Sequence, residues 1–124
     1  MTRRAAWWTA AVMSGVVLAL AVQRAEGVVL TASAYSPADS GSVTACGPRL
    51  DWTTPTVATP PGMYPCGARL RVCVGRRCVV ATRTDSGPFV GGRGIDLGPG
   101  AYRALGFSST GAFGVRSVTV RRVR

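Results

Sequence analysis

Apolar and polar residues alternate in several short runs along the chain, a period of two that is typical of β-strands. The clearest runs lie at residues 28–35, 69–74, 78–84 and 114–123, and a shorter one lies at 94–97. Residues 99–105 instead predict a short helix, with Pro99 in its first turn and Gly106 just past its end. Five or six short strands, one short helix and many Gly and Pro turns favour a small closed β-barrel over a sandwich.

The N-terminal segment has the pattern of an export signal. Arg3 and Arg4 precede an uncharged, largely apolar stretch at residues 5–22, within which Ala19-Leu20-Ala21 offers a small-x-small cleavage site. We predict a signal peptide over residues 1–27 and a secreted domain over residues 28–124, located in the cell wall or periplasm. Because the apolar stretch approaches the length that spans a bilayer, retention as an anchor is the alternative, and it would be the only contact with a membrane.

The four cysteines of a small exported domain favour two disulfide bonds. A two-residue turn at Gly75-Arg76 places Cys73 opposite Cys78, in a cross-strand pair that is close enough for a bridge. Cys46 and Cys66 are then left to each other. A four-cysteine zinc site is the rival, which export and the lack of His disfavour, so we expect no metal and no other cofactor.

The chain is strongly basic, with 15 basic residues, all of them Arg, against five acidic ones and a net charge of +10. Such an excess favours polyanionic partners such as cell-wall polymers or lipid headgroups. No nucleic-acid-binding motif accompanies the charge, so no specific nucleic-acid partner is predicted. Solubility together with a compositional preference for Arg is the alternative explanation.

Two of the few acidic residues, Asp85 and Asp96, lie within the segment 84–97. Asp85 ends a strand-like run and opens a Ser-Gly-Pro turn, whereas Asp96 lies between two apolar residues just before the predicted helix. Glycoside hydrolysis needs two carboxyl groups around the scissile bond, and a transglycosylase needs only one, because an intramolecular hydroxyl replaces water. The structural alternative is that Asp85 caps the turn while Asp96 pairs with Arg93 or holds the helix.

The predicted hairpin also assigns a face to Asp85. Leu70 and Val72 share one face with Ala81 and Arg83, because cross-strand partners project to the same side. Continuing the alternation puts Asp85 on that face, at the rim of the barrel if the face is the interior.

The order of several motifs resembles the rare lipoprotein A-like domain. These are Tyr35, Thr-Ala-Cys-Gly at 44–47, the Pro-Cys-Gly segment at 65–72, Asp-Ser-Gly-Pro-Phe-Val at 85–90, Arg-Gly-Ile-Asp-Leu at 93–97, and Leu-Gly at 105–106. The resemblance covers about residues 28–123 and implies a mainly β fold, a six-stranded double-psi β-barrel. The same fold is found in three-aspartate domains, expansins and barwin-like proteins.

The resemblance implies a protein that acts on peptidoglycan or a related wall polysaccharide, in some members as a lytic transglycosylase. The family's catalytic Asp falls on Asp85 and its second Asp on Asp96. Pro48-Arg49 stands where catalytic members have a Glu, Thr59 where they have a His, and Ser86 where they have an Arg. These departures support the alternative, a non-catalytic expansin-like or barwin-like module that binds glycan.

Five further residues are candidates for substrate binding. Tyr35 and Phe89 are placed to stack on sugar rings, with core packing as the alternative for Phe89. Arg93 is a candidate to bind a lactyl or stem-peptide carboxylate through two hydrogen bonds. Ser86 and Gly87 form the turn that follows Asp85, and Ser86 has no His to activate it as a nucleophile.

Overall fold

The structure, a computed structural model, describes residues 27–124 as a closed barrel of six strands. The strands are β1 (Val28–Ala34), β2 (Thr56–Thr59), β3 (Arg69–Val74), β4 (Arg77–Ser86), β5 (Ile95–Leu97) and β6 (Arg116–Val123). They close in the order β1-β5-β2-β4-β3-β6, with β1 parallel to β5 and β2 parallel to β4. The predicted mainly β closed barrel is confirmed. The predicted signal peptide lies outside the described residues apart from Gly27, and its cleavage stays a prediction.

The predicted short helix is present, and a second one accompanies it. Two α-helices are present in the described residues, α1 (Pro99–Ala104) and α2 (Thr110–Phe113), together with a 3₁₀ turn at Pro37–Asp39. The hydroxyl of Ser109 caps α2 by accepting from the Ala112 amide at 3.0 Å. A helix of four residues is too short to show a 3.6-residue period, which is why the apolar pattern does not predict it.

Strand β2 lies in the segment 44–65, which contains none of the alternating runs identified in the sequence. All four of its residues are buried, so the strand shows no alternation of polar and apolar positions. The other strands and α1 begin and end within three residues of their predicted limits. In the described residues, no helix is long and apolar enough to cross a membrane.

Both predicted disulfide bonds are present. Cys73 and Cys78 are register partners with Cα atoms 4.1 Å apart, on either side of a turn in which Gly75 has a φ of 58°. Cys46 is bonded to Cys66. The described residues hold no free cysteine, which leaves no thiolate for the four-cysteine zinc alternative.

The core lies inside the barrel and extends under the helices. Its members are fully or almost fully buried apolar side chains from every strand and both helices, among them Val57, Leu70, Val72, Ile95, Leu97, Tyr102, Leu105, Phe113 and Val120. Burial of these side chains is the main stabilising contribution, since each large apolar side chain contributes about 1.5–3 kcal/mol. The inward position of Ile95 and Leu97 sends the residue between them, Asp96, to the outer face of β5.

Candidate functional site

Asp85 and Asp96 lie on either side of the same strand. Ala58 of β2 is the register partner of Asp85 in β4 and of Asp96 in β5. Cross-strand partners project to the same side, so both carboxylates occupy one face. Two strand spacings separate their Cα atoms by about 9.5 Å. The structure therefore brings the two predicted catalytic residues together on the outside of the barrel wall.

A β-bulge sets the direction of Asp85. Val57 pairs with Arg83, but the next residue of β2, Ala58, pairs with Asp85, so Thr84 is an extra residue in β4. An extra residue reverses the alternation of side chains beyond it. Arg83 keeps the inward side of Val57, whereas Asp85 takes the outward side of Ala58. The predicted interior face of Asp85 was wrong for this reason.

The Asp85 carboxylate is held by three donors. Its Oδ1 accepts from the backbone amides of Ala45 and Ser86, each at 2.9 Å, and its Oδ2 accepts from the Tyr35 hydroxyl at 3.4 Å. The loop that supplies the Ala45 amide is fixed to β4, because the Cys46 amide donates to the Thr84 carbonyl at 2.9 Å. Asp85 thus makes a turn contact of the kind considered above, while its Oδ2 is held only by a long bond.

Asp96 is half-buried and titrates differently from a free aspartate. Burial raises the pKa of Asp96, opposed by the hydrogen bond that Ser33 Oγ donates to its Oδ1 at 2.9 Å and by the charge of Arg93. The negative charges of Asp39 and Asp85 raise this pKa further. Asp96 therefore keeps its proton to a higher pH than an ordinary aspartate does.

Tyr35 lies near both acids and is hydrogen-bonded to one of them, Asp85. Burial raises the pKa of Tyr35 well above its ordinary value, and the negative charges of Asp85 and Asp96 raise it further. The phenol therefore stays neutral and serves as a hydrogen-bond donor to Asp85. A cavity of about 210 Å³ opens beside this pair and is lined by Tyr35, Asp85, Asp39 and Leu50, among others.

The other four predicted substrate-binding residues, Ser86, Gly87, Phe89 and Arg93, have different surroundings. Ser86 Oγ accepts from Arg83 at 3.0 Å, and the Gly87 amide donates to the Thr59 carbonyl at 3.1 Å. Phe89 is 81% exposed, which rules out core packing, and its ring edge packs over Gly87. Arg93 acts on Asp96 through its charge.

Sequence reasoning missed three groups in the site: Ser33, Asp39 and the Ala45 amide. Ser33 occupies a polar position of the first predicted strand, so its outward direction was available from the pattern. Nothing in the sequence places Asp39 or Ala45, because both lie outside the strands, in the connection between β1 and β2. In residues 27–124 no group of three or more His, Cys, Asp or Glu side chains is arranged to hold a metal ion.

A closed barrel of six strands with two aspartates on one outer face is the arrangement that the resemblance to the rare lipoprotein A-like domain implies. The sequence matches the family described as "Lytic transglycolase" over residues 27–119. The chain belongs to this family, which confirms the resemblance seen in the sequence.

Two curated relatives carry the name "Probable endolytic peptidoglycan transglycosylase RlpA". The protein from Synechocystis sp. is 40% identical over 95 residues, 75% of this chain and 28% of the relative. The protein from Nostoc sp. is 42% identical over 89 residues, 68% of this chain and 24% of the relative. The chain thus spans about a quarter of the length of the curated relatives it matches.

Solved structures show the same fold. The Streptomyces papain inhibitor superposes with a TM-score of 0.63 at 23% identity, covering 81% of this chain and 96% of the inhibitor. The apo form of a Clavibacter michiganensis expansin gives a TM-score of 0.59 at 23% identity, covering 78% of this chain and 51% of the expansin. A mutant of that expansin in complex with cellohexaose gives a TM-score of 0.59 at 21% identity, with the same coverage of both chains.

Proposed function

We propose that this chain is an exported protein that acts on peptidoglycan and cleaves its glycan as a lytic transglycosylase does, with Asp85 as the acid and base. Family membership and the names of the curated relatives support the substrate. Two disulfide bonds fit an oxidising compartment outside the cytoplasm. The observation that carries the proposal is the pairing of Asp85 and Asp96 on one outer face of the barrel.

The proposed reaction needs one carboxyl group at the scissile bond. Asp85 donates a proton to the glycosidic oxygen as the bond from the anomeric carbon to that oxygen breaks. The resulting carboxylate accepts the proton of a hydroxyl on the same sugar, whose oxygen attacks the anomeric carbon and closes an anhydro ring. No water is consumed. The Ala45 and Ser86 amides hold Oδ1 in place, which leaves Oδ2 as the atom that faces the substrate.

Asp96 and Tyr35 have supporting roles in this proposal. Positive charge develops on the sugar ring when the bond breaks, and a second carboxylate on the same face stabilises it. Asp96 supplies that charge above its raised pKa. Tyr35 orients Asp85 through its hydroxyl and forms part of the wall against which a sugar ring packs. Phe89 extends the stacking surface into solvent.

The second candidate function is a non-catalytic module that binds or loosens wall glycan. The composition favours it, since the chain has no His and its single Glu, Glu26, lies before the barrel. Arg49, at the position where the resemblance expects a Glu, is exposed and donates to the Gly41 carbonyl at 2.9 Å. In this alternative Asp85, Asp96 and Tyr35 bind sugar hydroxyl groups.

Incubation of purified peptidoglycan with the protein and with Asp85→Asn tests both candidates. The bound fraction is measured by sedimentation, and the soluble products are identified by mass spectrometry. Anhydro-muropeptides from the wild type but not from the variant support the enzyme. Binding by both proteins without products supports the module, and the absence of both binding and products contradicts an action on peptidoglycan.

A further inference from the structure

Arg83 is a buried cation that has no anionic partner within residues 27–124. Its side chain is only 6% exposed, and its guanidinium donates to four uncharged acceptors. These are Cys66 Sγ at 3.1 Å, Cys46 Sγ at 3.4 Å, Ser86 Oγ at 3.0 Å and the Thr59 carbonyl at 3.5 Å. In the described residues, Nε has no acceptor. Burying a charge without a counter-charge is costly, so this position calls for an anion.

Arg83 lines a cavity large enough for a ligand. The cavity measures about 540 Å³, and Arg83 and Ser86 form its polar part. The loop 61–65 forms the remaining wall, in which Met63, Tyr64 and Pro65 present mainly apolar surface. A short alkyl group therefore fits against the wall while an acidic group reaches the polar part.

This cavity adjoins the site around Asp85. Asp85 lines the smaller cavity, and the next residue of β4, Ser86, lines the larger one. Consecutive strand residues project to opposite sides, so the two cavities lie on either side of the end of β4. A glycan bound across the end of this strand contacts both of them.

We infer that Arg83 and Ser86 form a carboxylate-binding subsite beside Asp85, selective for an acid with a short alkyl group on its α-carbon. A guanidinium binds a carboxylate through charge-assisted hydrogen bonds, which here replace its long bonds to Cys46 Sγ and the Thr59 carbonyl. Ser86 Oγ already accepts from Arg83, so its own proton is free to donate to the ligand. Two groups in peptidoglycan have this chemistry, the lactyl ether of muramic acid and the terminal alanine of a stem peptide. That identification rests on the proposed function, whereas the anion site itself does not.

Two matched pairs of probes test the subsite by NMR titration of the protein. N-acetylmuramic acid is compared with N-acetylglucosamine, which lacks the lactyl group, and N-acetyl-D-alanine is compared with its amide. We expect at least one acid to bind and neither neutral partner to do so. In Arg83→Gln the affinity should fall by about tenfold or more, as for loss of a hydrogen bond to a charged group. Arg121→Gln, which removes an identical charge from β6, is the control and should stay within about twofold of the wild type.

Ser86→Ala provides a second variant if Arg83→Gln does not fold, and it should weaken binding of the same acid severalfold. The lactyl and alanine sources are distinguished by which acid binds. Failure of both acids to bind, or equal affinity in a folded Arg83→Gln variant, overturns the subsite. Anhydro products without binding of either acid overturn the subsite alone. Binding of an acid at Arg83 without products or peptidoglycan binding overturns the proposed function and leaves the subsite in place.

Discussion

Asp85 and Asp96 share a single cross-strand partner, Ala58, and therefore lie on one face of the barrel wall. The relationship depends on Thr84, the extra residue that turns Asp85 outward. Without that bulge the two carboxylates would project to opposite sides of the wall.

Tyr35→Phe removes the hydroxyl that donates to Asp85 Oδ2 without removing the ring. We expect formation of anhydro product to fall about tenfold, because one hydrogen bond that orients the acid is lost. Initial rates on purified peptidoglycan measure the effect. Tyr102→Phe is the matched control, since the buried Tyr102 hydroxyl has no hydrogen-bond partner among the described residues. Its activity should be unchanged and its stability equal to or above that of the wild type, and equal losses in both variants would contradict the role of Tyr35.

Asp96→Asn should change how stability depends on pH. Burial raises the pKa of Asp96 in the folded protein, so the folded state binds the proton more tightly than the unfolded state does. The contribution of Asp96 to the free energy of unfolding is therefore most favourable at low pH. It declines as the pH rises from about 4 through the raised pKa of the folded state. The variant, which keeps an acceptor for Ser33, should therefore gain in melting temperature relative to the wild type as pH rises through this window.

The stability of an Asp51 variant should depend on pH in the opposite direction. Hydrogen bonds from the Thr54 and Thr53 amides lower the pKa of this exposed carboxylate. Asp51 therefore stabilises the folded protein above the ordinary pKa of aspartate, and this stabilisation is lost as the pH falls through the lowered pKa of the folded state. Asp51→Ala should therefore lower the melting temperature at neutral pH and have a diminishing effect in acid. Parallel pH profiles for the Asp96 and Asp51 variants would contradict both assignments.

The two disulfide bonds should differ in their effects. In the chain-entropy model, a bridge with a sequence separation of 20, Cys46–Cys66, stabilises by about 3 kcal/mol, and one with a separation of 5, Cys73–Cys78, by about 2 kcal/mol. Only the first also fixes the loop whose Ala45 amide holds Asp85. Replacing both members of the first pair with Ser should lower activity as well as stability, whereas replacing the second pair should lower stability alone.

Denaturant unfolding measures the stability of both pairs, and peptidoglycan digestion below the melting temperature measures their activity. Peptide mapping of the wild type without reductant should find the same two linkages and no free thiol. A different pairing would overturn the predicted hairpin register.

Gly100 allows the helix α1 to approach the chain before β2. A Cβ at this position would overlap the carbonyl of Thr54, whereas a Cβ at Gly111 in α2 would meet only Ser109 Oγ at 3.9 Å. Gly100→Ala should destabilise the fold by about 1–3 kcal/mol through overpacking. Gly111→Ala should be neutral or stabilising by up to about 1 kcal/mol, since alanine favours helix. Thermal unfolding of both variants checks the packing, and equal stabilities would contradict the close approach.

The sequence predicted the features that depend on local pattern. Alternation identified most strands, and the turn at Gly75 fixed the Cys73–Cys78 pair, because hairpin register follows from turn length. The motif order identified the family. These signals depend on residues that are close in sequence, so they can be recognised without knowledge of the fold.

The features that it did not predict depend on contacts between distant segments. Strand β2 is buried on both faces and shows no alternation. The bulge at Thr84 exists only in the pairing of β4 with β2, and it reversed the predicted face of Asp85. Arg83 is buried against Cys46 and Cys66, which lie outside β4, so the sequence of that strand does not predict its burial.

Asp85→Asn is the most direct test of the proposed chemistry, since it keeps the size and the acceptor oxygen of the side chain but removes its acid–base function. On purified peptidoglycan, we predict that the rate of anhydro-muropeptide formation falls by about a hundredfold or more, the range typical for loss of a general acid–base catalyst. Asp51→Asn removes the same charge from an exposed loop and should retain the wild-type rate. An Asp85→Asn variant that forms anhydro-muropeptides as fast as the wild type would contradict the role of Asp85.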